Sequence, residues 1–146
     1  MKQKLIKSLL LLFIVLATAC GKEEKEVQYT ALPEKAQTFI KSYFPTTEYA
    51  RIVREKDDGT TEYEVYLSDG TELDFDKQGE WKSIDCKFAA LPSGILPEVI
   101  MADIATRYPQ AVAYKVEKQL GGYEIDIPGW ELYYSQQGTF VRAERD

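Results

Sequence analysis

The stretch Glu62–Asp85, EYEVYLSDGTELDFDKQGEWKSID, reads as three short strands joined by tight glycine turns. Tyr63, Val65 and Leu67 alternate with Glu62, Glu64 and Tyr66. After Ser68-Asp69-Gly70, Leu73 and Phe75 alternate with Glu72, Asp74 and Asp76. After Lys77-Gln78-Gly79, Trp81 opens a last strand that ends near Asp85. Period-2 alternation between glycine turns describes an antiparallel meander with one buried and one wet face.

Upstream, Ala36, Ile40 and Phe44 form an apolar line broadened by Phe39 and Tyr43, which predicts a helix starting near Thr30 or Leu32. Pro33 suits its first turn and Pro45 stops it. A strand over about Tyr49–Glu55 then leads to the turn Asp57-Asp58-Gly59. Downstream, residues 86–96 read as a connector, and the pattern returns. Leu96-Pro97-Glu98 matches Leu32-Pro33-Glu34, and Tyr108-Pro109 matches Phe44-Pro45. Ile100, Ile104 and Tyr108 fall on Ala36, Ile40 and Phe44 at a constant separation of 64 residues. The separation shortens to 60 at Tyr63/Tyr123. It settles at 59 for Gly70/Gly129, Leu73/Leu132, Phe75/Tyr134, Gly79/Gly138 and Trp81/Phe140. The gaps fall only in turns, as an internal duplication of residues 32–85 and 96–144 requires.

These patterns predict an α+β domain over residues 31–146: two helix-plus-four-strand units in a largely antiparallel sheet, with both helices on one face. The expected sheet-side core is Tyr63, Val65, Leu67, Leu73, Phe75, Trp81, Tyr123, Ile125, Ile127, Leu132, Tyr134 and Phe140. Trp81 and Phe140 hold equivalent places, where truncation in a packed core costs ~3–5 kcal/mol.

The first residues read as an export signal over residues 1–19, with Lys2, Lys4 and Lys7 ahead of an apolar run and Ala17-Thr18-Ala19 before Cys20. The stretch resembles a bacterial lipoprotein signal, which implies that Cys20 is lipidated and becomes the first mature residue. Residues 20–30 then read as a flexible tether, too polar at Gly21–Glu26 to pack. Lys22-Glu23-Glu24 resembles the short acidic signal that sends some Bacteroidetes lipoproteins to the outside of the outer membrane. The expected location is therefore the outer membrane, on its periplasmic or surface-exposed side.

Without the signal, the 18 basic residues fall to 15 against 24 acidic ones, a formal charge of −9. Nucleic acid is excluded as a partner by net repulsion. With Cys20 carrying lipid, Cys86 is the one remaining thiol, so no intramolecular disulfide forms. The chain has no histidine, which removes cysteine–histidine zinc sites and the commonest general base. Cys86 reads as a small, partly buried hydrophobe, and the chain as a non-enzyme.

The pattern of Tyr63–Trp81, YEVYLSDGTELDFDKQGEW, is similar to the PepSY-like, β-lactamase-inhibitor-like domains of Bacteroides and relatives, a family of unknown function. Gly70, Phe75, Gly79 and Trp81 carry the resemblance, which extends over about Leu32–Asp146. It implies helix-plus-four-strand units sharing a curved antiparallel sheet. It implies no settled activity, since labels borne by relatives, such as protease-inhibitor-like or calcium-regulated, are themselves inferred.

Alternation places Glu62, Glu64, Tyr66, Glu72, Asp74, Asp76, Glu124, Asp126, Glu131 and Tyr133 on the wet face. Clustered carboxylates repel across a sheet, and exposed tyrosines among them suit a protein or peptide interface. The competing reading is a face kept acidic for solubility alone. Asp74, Asp76 and Gln78 before Gly79, with Asp85 at position twelve counted from Asp74, also match the spacing of a calcium loop. That loop belongs between helices, whereas these residues read as a hairpin. Calcium is the single cofactor the pattern suggests, and the expected partners are an envelope protein or peptide and, through the lipid, the membrane.

Overall fold

The computed structural model describes residues 21–146; the expected signal and Cys20 lie outside the described residues. Nine strands form one sheet in the order of the chain: β1 (Glu23–Glu26), β2 (Tyr49–Asp57), β3 (Thr60–Leu67), β4 (Glu72–Asp76), β5 (Trp81–Asp85), β6 (Lys115–Gln119), β7 (Gly122–Ile127), β8 (Trp130–Ser135) and β9 (Phe140–Arg145). All eight ladders are antiparallel. Helix α1 (Glu34–Tyr43) precedes β2 and α2 (Glu98–Arg107) precedes β6. No helix among the described residues is long and apolar enough to cross a membrane.

Ala36 and Ile40 of α1 and Ile100 and Ile104 of α2 join one core cluster with Ile52, Val65, Leu67, Leu73, Phe75, Ile84, Val116, Ile125, Ile127, Leu132 and Tyr134. Every second residue of the central strands therefore faces the helices, and the class is α+β as expected. Trp81, Phe140, Tyr63 and Tyr123 are packed against this cluster only half-buried, which corrects their placement as full core. Trp81 and Phe140 begin strands beside turns, where Phe39 and Lys118 flank the first ring and Tyr134 and Arg107 the second without sealing either from water.

Two features differ from the sequence reading. Residues Glu23–Glu26, expected to be loose, form β1: Glu23 pairs with Lys56 and Glu26 with Val53. The cause is tertiary, since β2 offers an unpaired edge and Lys22 bridges Glu55 at 2.5 Å and Glu24 at 3.3 Å. Helix α1 starts at Glu34, after a single 3-10 turn at Tyr29–Ala31, because Leu32 precedes a proline and is held extended (φ −67°, ψ 144°).

Several local features recur in the two halves. Pro33 and Pro97 cap their helices at φ −53°, ψ 143° and φ −52°, ψ 137°. Phe44 and Tyr108 close them by donating N–H to Ile40 and Ile104, each at 2.8 Å. A ladder irregularity falls between Asp74 and Phe75 in one half and between Tyr133 and Tyr134 in the other. Gly79 (φ +84°) sits against the start of α1, and Gly138 (φ +87°) against Val99 at the start of α2. One position diverges in kind. Phe39 lies edge-on to Phe75 at 5.6 Å, whereas its counterpart Asp103 accepts a hydrogen bond from the Tyr134 hydroxyl at 2.8 Å and pairs with Arg107 at 2.6 Å.

Candidate functional site: the outward face of the sheet

The face turned away from the helices carries two unbroken cross-strand rows. One runs Glu64, Asp74, Ser83, Glu117, Glu124, Tyr133, Arg142 from β3 to β9. The other runs Arg51, Tyr66, Glu72, Asp85, Lys115, Asp126, Glu131, Glu144 from β2 to β9. Glu62 and Asp76 form a shorter third pairing. All ten expected face residues, Glu62, Glu64, Tyr66, Glu72, Asp74, Asp76, Glu124, Asp126, Glu131 and Tyr133, lie on this side, and all are half-buried.

Sequence reading missed the middle of both rows. Ser83, Glu117 and Lys115 sit on β5 and β6, and β6 carries a single buried residue, Val116, too little for alternation to register. The 64-residue separation of the helices, carried past them, would have paired Ile52 with Val116 and Arg51 with Lys115.

The charges on the face are unevenly matched. Lys115 reaches Asp126 at 3.6 Å, Lys87 bridges Glu72 at 3.1 Å and Asp85 at 2.9 Å, and Lys82 pairs with Glu62. Tyr66 donates its hydroxyl hydrogen to Glu64 at 2.8 Å and stands 5.8 Å from the Arg51 guanidinium. Tyr133 donates to Glu131 at 3.0 Å beneath the Arg142 guanidinium at 3.6 Å. Each tyrosine is thus fixed between a carboxylate and a cation. Asp74 has no cation within ion-pair distance among the described residues. Burial and the carboxylates of Glu64, Glu72 and Glu62 push its carboxyl up to about 6, and Lys82 offsets this only in part. Burial, followed by repulsion from Glu117, raises Glu124, and burial raises Asp126 against the pull of Lys115.

Asp74 therefore favours its protonated form in the fold. That contribution is full below the unfolded carboxylate range and is lost as pH rises through about 6. Asp74→Asn is expected to stabilise the protein by about 1–2 kcal/mol at pH 7.5 and not at pH 4. Two pKa units correspond to about 2.7 kcal/mol, discounted here for the part of the group that water still reaches. Urea melts at both pH values check this, and equal gains at both would refute it.

The four residues of the calcium-loop spacing fold as a hairpin. Asp74 and Asp76 lie on β4, Gln78 lies in the turn, and Asp85 ends β5. Asp76 Oδ1 accepts the N–H groups of Gln78 and Glu80, each at 2.9 Å, and so closes the turn. Asp85 Oδ1 accepts the Lys87 N–H at 2.8 Å. Asp74, Asp76 and Asp85 share the outward face but stand in different cross-strand pairings, and no three Asp, Glu, Cys or His side chains converge on a metal-sized point among the described residues. Cys86 is buried, and burial pushes its thiol up to about 11.

The profile of the family described as "Putative beta-lactamase-inhibitor-like, PepSY-like" matches residues 19–65 and 61–142. The chain is a member of the PepSY-like family. Three solved structures resemble this PepSY-like chain over nearly their whole length. A Bacteroides vulgatus "putative periplasmic protein" of the DUF2874 family is 35% identical, with TM-score 0.80, covering 84% of this chain and 98% of that one. A Bacteroides thetaiotaomicron protein described as a "putative calcium-regulated periplasmic protein" is 32% identical, with TM-score 0.80, covering 84% and 97%. A second Bacteroides vulgatus protein, described as a "putative periplasmic protein of unknown function", is 35% identical, with TM-score 0.79, covering 85% and 99%. No curated protein matches the PepSY-like chain. The family indicates no catalytic class.

Proposed function

We propose that this PepSY-like chain is a non-catalytic lipoprotein of the cell envelope, anchored through lipidated Cys20, that holds a basic protein or peptide on the outward face of its sheet. The supporting observation is the pair of continuous rows, in which carboxylates outnumber cations and Tyr66 and Tyr133 are pre-positioned. Tyrosines already fixed lose little freedom when a partner covers them, and excess carboxylate favours a cationic surface. A buried, protonated Cys86 and a chain without histidine support a non-catalytic role. The periplasmic descriptions of the relatives support export. Matched caps, ladder irregularities and turn glycines support an origin of the two halves by duplication.

Changing Tyr66 and Tyr133 to Ser together is expected to weaken capture of the partner from envelope extracts while leaving stability within ~1 kcal/mol. Unchanged capture by the folded double variant would refute the face as the interface.

Calcium is the second reading, favoured by the uncompensated Asp74 beside Glu64 and Glu72 and by the description of the Bacteroides thetaiotaomicron relative. In that case millimolar calcium raises the melting temperature, magnesium does not, and Asp74→Asn with Asp76→Asn abolishes the rise. Equal shifts with calcium and magnesium would count against it.

A further inference from the structure

From the way β1 is tied into the sheet, and resting on the reading that Cys20 is lipidated, we infer that the lipid anchor has almost no slack and that the domain stands on the tip of its β2–β3 hairpin, against the lipid headgroups. The rigid part of the chain begins immediately after the anchor. Gly21 lies against Asp58 of the β2–β3 turn, where an added Cβ would sit 3.4 Å from Asp58 Oδ1. Lys22 is tied to Glu55 and Glu24, and β1 starts at Glu23 opposite Lys56. At 3.8 Å per residue, the path from Cys20 to Glu23 spans at most about 11 Å.

That length brings the turn between β2 and β3, Asp57 to Thr60, to the headgroup layer. The turn after β3, at Ser68-Asp69-Gly70, is one strand length away, eight residues or about 26 Å. Around the tip, Lys22 and Lys56 stand among Glu23, Glu24, Glu55, Asp57 and Asp58, with Lys22 already paired to Glu55 and Glu24, so the tip is itself acidic. The longer rows of carboxylates on the outward face are repelled by anionic lipid over a wider area, which keeps that face off the bilayer. The contact is therefore one of headgroups with a small acidic hairpin tip, held there by the acyl chains.

The test uses the full-length, acylated protein in vesicles of phosphatidylcholine and phosphatidylglycerol containing a headgroup-spin-labelled lipid. Environment-sensitive dyes are attached at Thr60→Cys or Asp69→Cys; Cys20 is blocked by lipid and Cys86 is buried. The dye at position 60 is expected to be quenched several-fold more strongly than the dye at position 69. Lys25→Pro, which releases β1 from β2, is expected to bring quenching at 60 down to the level at 69. Equal quenching at the two positions, or no effect of Lys25→Pro on an otherwise folded domain, overturns the orientation. Absence of an acyl mass on the Cys20 peptide overturns the anchoring reading, and this inference with it.

Discussion

Truncation of Phe75 to alanine is expected to cost about 3–5 kcal/mol, the largest effect of any single substitution considered for this domain. Phe75 is fully buried, lies edge-on to Phe39, and is flanked in register by Tyr63 and Trp81. Helix and sheet therefore both line the void its ring would leave, and neither can close it without breaking a ladder. Against a total stability of ~5–15 kcal/mol this is a large fraction, and it should lower the melting temperature by about 10–20 °C. Trp81→Ala, beside Phe75 in register on β5 but only partly buried, should cost clearly less. Denaturant melts of the two variants side by side decide the matter, and equal losses would show that the core is not centred on Phe75.

Gly79→Ala comes next, at about 2–4 kcal/mol. Two costs combine there. A φ of +84° strains any residue with a Cβ by roughly 1–2 kcal/mol. The new methyl would also stand 2.8 Å from the Ala36 nitrogen and 2.8 Å from Pro33 Cβ, so the backbone at the start of α1 must shift. Gly59→Ala isolates the first cost, because Gly59 has nearly the same φ, +81°, and nothing within 4 Å of the added atom. The difference between the two variants measures the contact between turn and helix. Gly138→Ala meets mainly the side chain of the half-exposed Val99, which can rotate, and should fall between them. Identical losses at positions 59 and 79 would mean that this contact contributes nothing.

Strands β3, β4, β7 and β8 were readable because each alternates over five or more residues between glycine turns, and the helices because a proline opens each and an aromatic-proline pair ends it. Strand β1 left no such trace. Its four residues are all charged and exposed, and only the free edge of β2 and the Lys22–Glu55 bridge make it a strand. Strand β6 was obscure for a related reason, with Val116 its single buried side chain. On the candidate face, the side on which each acid lies followed from alternation alone. Which acids lack a counterion did not, because Lys82, Lys87 and Lys115 reach their partners across strands or from a connector. The replacement of an aromatic contact by Asp103 and Arg107 in the second half was likewise invisible, since a charged pair on a helix reads as solvated surface.

Among the described residues every strand pairs only with its neighbours along the chain, and the halves meet in a seam of three pairs, Ser83/Glu117, Ile84/Val116 and Asp85/Lys115. No ladder up to β5 waits for a residue beyond Asp85. A polypeptide threaded across a membrane from its N terminus can close its hairpins one after another as each emerges, with little loop entropy to pay at any step. The second half then grows onto an edge already in place. Such vectorial assembly would suit the export proposed above for this chain.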